Sequence, residues 1–110
     1  MPGILFYQGQ SHQLKTDEET SSQYWSIRSE KMSFTYFEIP PNTIFAKHRH
    51  FSEQITYVLD GVLFFESEGT TYRLKPGDSI VLPSNVEHRV RTTHAGTKAV
   101  DSRAHASEQY

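Results

Sequence analysis

The chain has no cysteine. This absence excludes disulfides, thiolate catalysis, iron–sulfur clusters and zinc fingers, and it leaves any metal to histidine and oxygen ligands. Net charge is almost as scarce: 11 Lys and Arg against 13 Asp and Glu leave -2. Nothing in that balance attracts nucleic acid or an anionic membrane. No apolar run approaches the ~18 residues of a membrane span. The N-terminus, MPGILFYQGQ, has no positive region and only Ile4–Tyr7 as an apolar run, unlike a secretory signal. A cytoplasmic protein is the expectation. Helical periodicity is also missing. Residues 15–24 come closest, but Thr and Ser stand where an apolar face belongs, so at most one helical turn is expected there.

At 110 residues the length suits one domain. Turn residues recur at short intervals: Gly9, Pro40-Pro41-Asn42, Asp60-Gly61, Glu68-Gly69, Pro76-Gly77-Asp78, Pro83-Ser84-Asn85 and Ala95-Gly96. Between them lie short runs rich in β-branched and aromatic residues, the pattern of an all-β sandwich or barrel. The expected strands are 4–8, 24–27, 34–39, 44–50, 54–59, 62–66, 70–74, 79–82, 86–93 and 98–103. Asp60-Gly61 between two apolar runs predicts a hairpin, because both central positions favour φ > 0. The acidic cluster Asp17-Glu18-Glu19 reads as a solvated turn.

Val62-Leu63-Phe64-Phe65 is apolar on both faces, and so is part of 34–39. A closed barrel has one inside, so such strands need a second cover. Either the chain's own N-terminal segment or a partner subunit would supply it, and a homodimer is the expectation. The expected organisation is residues 1–33 as N-terminal strands packing on the barrel or a partner, 34–103 as the barrel, and 104–110 as a polar tail.

Chemistry concentrates in HRHFSEQITYVLDG, residues 48–61. On one extended strand His48 and His50 point the same way, roughly 7 Å apart. In NVEHRVR, residues 85–91, His88 shares a face with Val86 and Val90 while Glu87, Arg89 and Arg91 face outward. A lone inward histidine is ordinarily a hydrogen-bonded core residue, but two more on a neighbouring strand point to a metal site. A fourth ligand is either Glu53 or Gln54, since consecutive strand residues cannot both face inward. The pattern leaves that parity open, and ligand frequency favours Glu53. His12, His94 and His105 read as surface residues. Tyr36, Phe64, Tyr72 and Leu82 are candidates for the barrel mouth, with core packing as the plainer reading. No inward Asp or Glu stands out as a general base, which leaves metal-bound water, Tyr36 or Tyr72.

These residues resemble a small single-domain cupin. His48-x-His50, then Glu53-Gln54, six residues and Gly61 follow the family's first motif. Gly77, five residues, Pro83 and then His88 follow its second, with 15 residues between Gly61 and Gly77. Asn42 stands where the first motif usually opens with Gly, Asn85 replaces the second motif's later Gly, and Thr92 its final Asn; asparagine tolerates such turn positions. The resemblance implies an all-β jelly-roll barrel with a divalent transition metal (Fe, Mn, Ni, Cu or Zn) on His48, His50, Gln54 and His88. It puts Gln54 where the family usually has glutamate, so the first shell is neutral and the ion keeps its full charge and Lewis acidity. The implied function is a metal-dependent enzyme on a small polar or anionic organic substrate. Sugar-ring opening or isomerisation, a lyase step and dioxygenation are the reaction types. The alternative is a non-catalytic small-molecule or metal-binding module.

Overall fold

The computed structural model describes residues 3–104. His105 and most of the expected polar tail lie outside them. Ten strands are present among the described residues: β1 Lys15–Thr16, β2 Gln23–Arg28, β3 Met32–Ile39, β4 Ile44–His48, β5 Gln54–Asp60, β6 Leu63–Ser67, β7 Thr70–Leu74, β8 Ser79–Leu82, β9 His88–Thr92 and β10 Thr97–Ala104. They form two antiparallel sheets, one of six strands in the order β1-β2-β3-β10-β5-β8 and one of four in the order β4-β9-β6-β7. This is the expected all-β jelly-roll barrel. Among the described residues, no helix is long and apolar enough to cross a membrane.

The core lies between the sheets. Ile39, Val58 and Ala99 from the larger sheet meet Leu63, Phe65 and Leu74 from the smaller one, with Leu82 beside them. β5 shows how the alternation works: Gln54, Thr56 and Val58 are buried, whereas Ile55, Tyr57 and Leu59 are exposed. The sequence is apolar on both faces of this strand, yet only one face reaches the core.

Three expectations need correction. Residues 4–8 form no strand; a single 3-10 turn, Gly9–Ser11, follows them. In their place β1, a two-residue strand, pairs with β2 in the stretch expected to be at most helical. Asp60-Gly61 does not close a hairpin either. β5 is already flanked by β10 and β8, so it has no free edge for β6, and the chain crosses to the other sheet. Gly61 still needs its φ of +79°, and a Cβ there would run into the carbonyl oxygen of Gly96. The two-residue hairpin is instead Glu68-Gly69 between β6 and β7, where both residues have positive φ. Asn42 and Asn85 adopt φ of 54° and 64°, the left-handed turns expected of them.

Phe65 is almost wholly enclosed in this core. Phe65→Ala is expected to destabilise the fold by about 3–5 kcal/mol in urea unfolding. Tyr72→Ala, at an exposed site of β7, should cost a small fraction of that. Equal losses would mean that the core is not where the strand alternation places it.

Candidate metal centre

A β-bulge aims the first histidine. Phe45 pairs with Val90, but the next paired position is His48 with His88. Ala46 and Lys47 therefore oppose Arg89 alone. Without the extra residue, strict alternation would put Phe45 and His48 on opposite faces; the bulge turns both to the interior. Phe45 and His48 accordingly line the same cavity. β4 then ends, so His50 sits in the loop that follows rather than on the strand. The two-tooth comb on one strand is thus replaced by a bulge plus a loop. The loop is pinned where the Asn85 amide donates to the His50 carbonyl at 2.7 Å.

His48, His50 and His88 converge nonetheless. Each offers a nitrogen within 4.8 Å of the others, and the His48 and His88 ring centroids are 4.3 Å apart. The backbone sets their tautomers. Nδ1 of His48 lies 2.9 Å from the Ala46 carbonyl oxygen, that of His50 2.7 Å from Ser52, and that of His88 3.0 Å from Val86. A carbonyl only accepts, so each Nδ1 carries a proton, and Nε2 is the nitrogen left to offer a lone pair. Burial lowers the pKa of both His50 and His88, outweighing the contact with their carbonyls; nearby Arg103 lowers both further. Among the described residues, Nε2 of His50 is a buried polar atom with no hydrogen-bond partner. An orphaned lone pair beside two more imidazoles fits a borderline-soft divalent cation.

The Glu53/Gln54 choice is decided by β5. Gln54 is 5% exposed and faces the cavity, while Glu53 is exposed. Arg103 donates to Gln54 Oε1 at 2.9 Å. Gln54 Nε2 donates to Thr56 Oγ1 at 2.9 Å and to Asp101 Oδ2 at 3.3 Å, and the Thr56 hydroxyl donates to Asp101 Oδ1 at 2.6 Å. A guanidinium can only donate, so the Arg103 contact fixes which end of the Gln54 amide is oxygen.

Asp101 and Arg103 are what the sequence reading missed. Both lie on β10 and line a cavity of about 110 Å³ together with His48, Gln54 and His88. Burial raises the pKa of Asp101, against the opposing pull of the Thr56 hydroxyl and Arg103. The signal was the alternation of Thr97, Ala99, Asp101 and Arg103 along one strand, obscured because Val100 on the other face is apolar as well. The two tyrosines considered as bases are elsewhere. The Tyr36 hydroxyl donates to Glu38 on the outer face at 2.8 Å, and its pKa is raised to about 12 by burial and Glu38. Tyr72 is exposed, Leu82 is core, and Phe64 lies under the Arg91 guanidinium at 4.1 Å. His94 is exposed, as expected. His12, expected simply at the surface, stacks on Trp25 with centroids 3.8 Å apart.

Residues 35–100 match the cupin domain family. The acireductone dioxygenase of Phaeosphaeria nodorum is 34% identical over 110 aligned positions, covering 89% of this chain and 62% of that protein. The acireductone dioxygenase of Sclerotinia sclerotiorum is 36% identical over 72, covering 61% of this chain and 40% of that protein. The chain thus spans less than two thirds of the curated relatives it matches. The structure of KdgF from Halomonas sp. superposes with a TM-score of 0.84 at 21% identity, covering 98% of this chain and 100% of that one. This last likeness is one of fold.

The lowered pKa of His88 has a pH consequence. Below about 6.5, its unperturbed value, the unfolded chain takes up a proton that the folded one resists, so acid erodes stability. Metal-free wild type is expected to lose stability relative to His88→Gln as pH falls from 7 to 5 in urea unfolding. A constant difference would contradict the buried neutral imidazole.

Proposed function

The chain belongs to the cupin family, and from that premise we propose that it is a metal-dependent enzyme of dioxygenase type. Its substrate is a small, anionic organic molecule bearing adjacent oxygens, as in an acireductone. The metal is one divalent transition ion, held by His48, His50 and His88 with Gln54 completing the set. The observation that carries the proposal is the three histidines whose ligand nitrogens lie within 4.8 Å of one another, with Nε2 of His50 buried and unpartnered among the described residues. The names of the curated relatives support the dioxygenase type. When bound, the ion supplies Lewis acidity and, if redox-active, access to dioxygen.

The chain's own residues supply the rest. Arg103 lends positive charge to the cavity wall, which suits an anionic substrate, while holding the Gln54 amide in place. Asp101, with its raised pKa, keeps a proton at higher pH than an ordinary carboxyl and is placed to exchange it with a substrate hydroxyl. Phe37, Phe45, Phe65 and Val90 line the apolar remainder. That wall excludes water and strengthens each polar contact. Asp101 also favours a second reading: proton transfer on an enol-forming sugar acid without oxygen, as in ring opening or isomerisation.

Purified without chelator or histidine tag, wild type is expected to carry stoichiometric metal by elemental analysis, and His88→Ala none. Gln54→Ala should weaken metal binding about 10-fold or more, and Glu53→Ala should not. The reverse order would mean that β5 is out of register, and no metal after reconstitution would favour a non-catalytic binding module.

With an acireductone as substrate, iron-loaded protein is expected to consume oxygen. Asp101→Asn should lose about 100-fold in kcat with metal content intact. Turnover by zinc-loaded protein without oxygen would instead select the proton-transfer reading.

A further inference from the structure

Gln54 belongs to a block of inward polar side chains. The register of β5 and β10 sets it opposite Arg103, and sets Thr56 opposite Asp101. Cross-strand partners share a face, and all but Arg103 are deeply placed: Gln54 and Thr56 are buried, and desolvation dominates at Asp101. Phe37, Phe45, Phe65 and Val90 line the same cavity. A buried polar atom in such surroundings needs its partner within the block.

The charged ends set the polarity of the block. Arg103 offers only donors, and one of them meets Gln54 Oε1 at 2.9 Å. The Asp101 carboxylate only accepts, taking the Thr56 hydroxyl at 2.6 Å and Gln54 Nε2 at 3.3 Å. With its proton given to Asp101, Thr56 Oγ1 can only accept in turn, and it takes Gln54 Nε2 at 2.9 Å. Position 54 must therefore present an acceptor to Arg103 and a donor to Thr56 and Asp101. An amide does both. A glutamate would keep the Arg103 contact but set its second oxygen against Thr56 Oγ1 and Asp101 Oδ2. Only the Thr56 O–H would then serve those oxygens, and two buried carboxylates would face each other.

We propose that Asp101, with Arg103 on the other side, dictates an amide at position 54 and so keeps that ligand position uncharged. Asp101 is in this sense a positioning residue that acts through Gln54. The negative charge that a glutamate would bring to the ligand set is held one strand away, on a side chain that also lines the cavity. Arg103 and Asp101 balance each other across the amide, without drawing on the charge of an ion. This consequence for the metal rests on the reading of Gln54 as a ligand, whereas the pairing itself does not. The two roles should then be exchangeable. In Gln54→Glu with Asp101→Asn, the new amide can donate where the old one did, and Arg103 meets a carboxylate.

A double-mutant cycle on metal-free protein tests the pairing. At slightly alkaline pH, where free carboxyl groups are ionised, Gln54→Glu is expected to lower the urea midpoint by about 1 M or more. Asp101→Asn alone should cost less, because its amide can turn to suit its neighbours. The double variant should recover at least half of the Gln54→Glu loss. If Gln54→Glu yields no folded protein, a folded double variant is the same rescue. Losses that simply add, or a double variant that does not fold, overturn the proposal. Zinc titration calorimetry then separates the pairing from the ligand reading. With the charge moved to position 54, the double variant should bind zinc about 10-fold or more tighter than wild type. Rescued stability with unchanged zinc affinity would uphold the pairing and remove Gln54 from the ligand set.

Discussion

Three backbone carbonyls hold this site together. By accepting from the Nδ1–H of His48, His50 and His88, they fix each ring's orientation and tautomer before any ligand arrives. Neutral imidazoles with inward lone pairs repel no cation, and burial keeps His50 and His88 in that state. The acceptor lies two residues from its histidine in each case, so the local turn of the chain, more than long-range packing, sets the tautomer. Packing then brings the three nitrogens within reach of one another.

A second network sits against the first. Arg103, Gln54, Thr56 and Asp101 form one directional chain of hydrogen bonds across β5 and β10. It satisfies polar groups that would be costly to bury unpaired, and it fixes the Gln54 amide. The barrel places these groups and the three histidines around one small, mostly apolar cavity. Three imidazoles, an amide, a guanidinium and a carboxyl whose pKa is raised by burial together set the electrostatics of the cavity.

Much of this was legible in the sequence, because period-2 alternation, turn residues and motif spacing are local properties. The turns of Asn42 and Asn85, the core face of β9 and the pairing of His88 with the histidines before it all follow from such patterns. Other features escaped because they depend on neighbours. Asp60-Gly61 has the chemistry of a hairpin turn, but β10 and β8 already flank β5. Residues 4–7 have the composition of a strand but no partner in either sheet. Asp101 and Arg103 lie in a strand with little hydrophobic contrast between its faces, so nothing local marked them as inward.

The sequence by itself determined an all-β barrel, its turn positions and the three histidines that converge. Only the tertiary structure decided the parity of Glu53 and Gln54, because a strand apolar on both faces does not say which face meets the core. It alone revealed the bulge that turns His48 inward, since a bulge is a mismatch between two strands and is written in neither. It alone brought Asp101 and Arg103 to the histidines, because β5 and β10 pair across some forty residues of intervening chain.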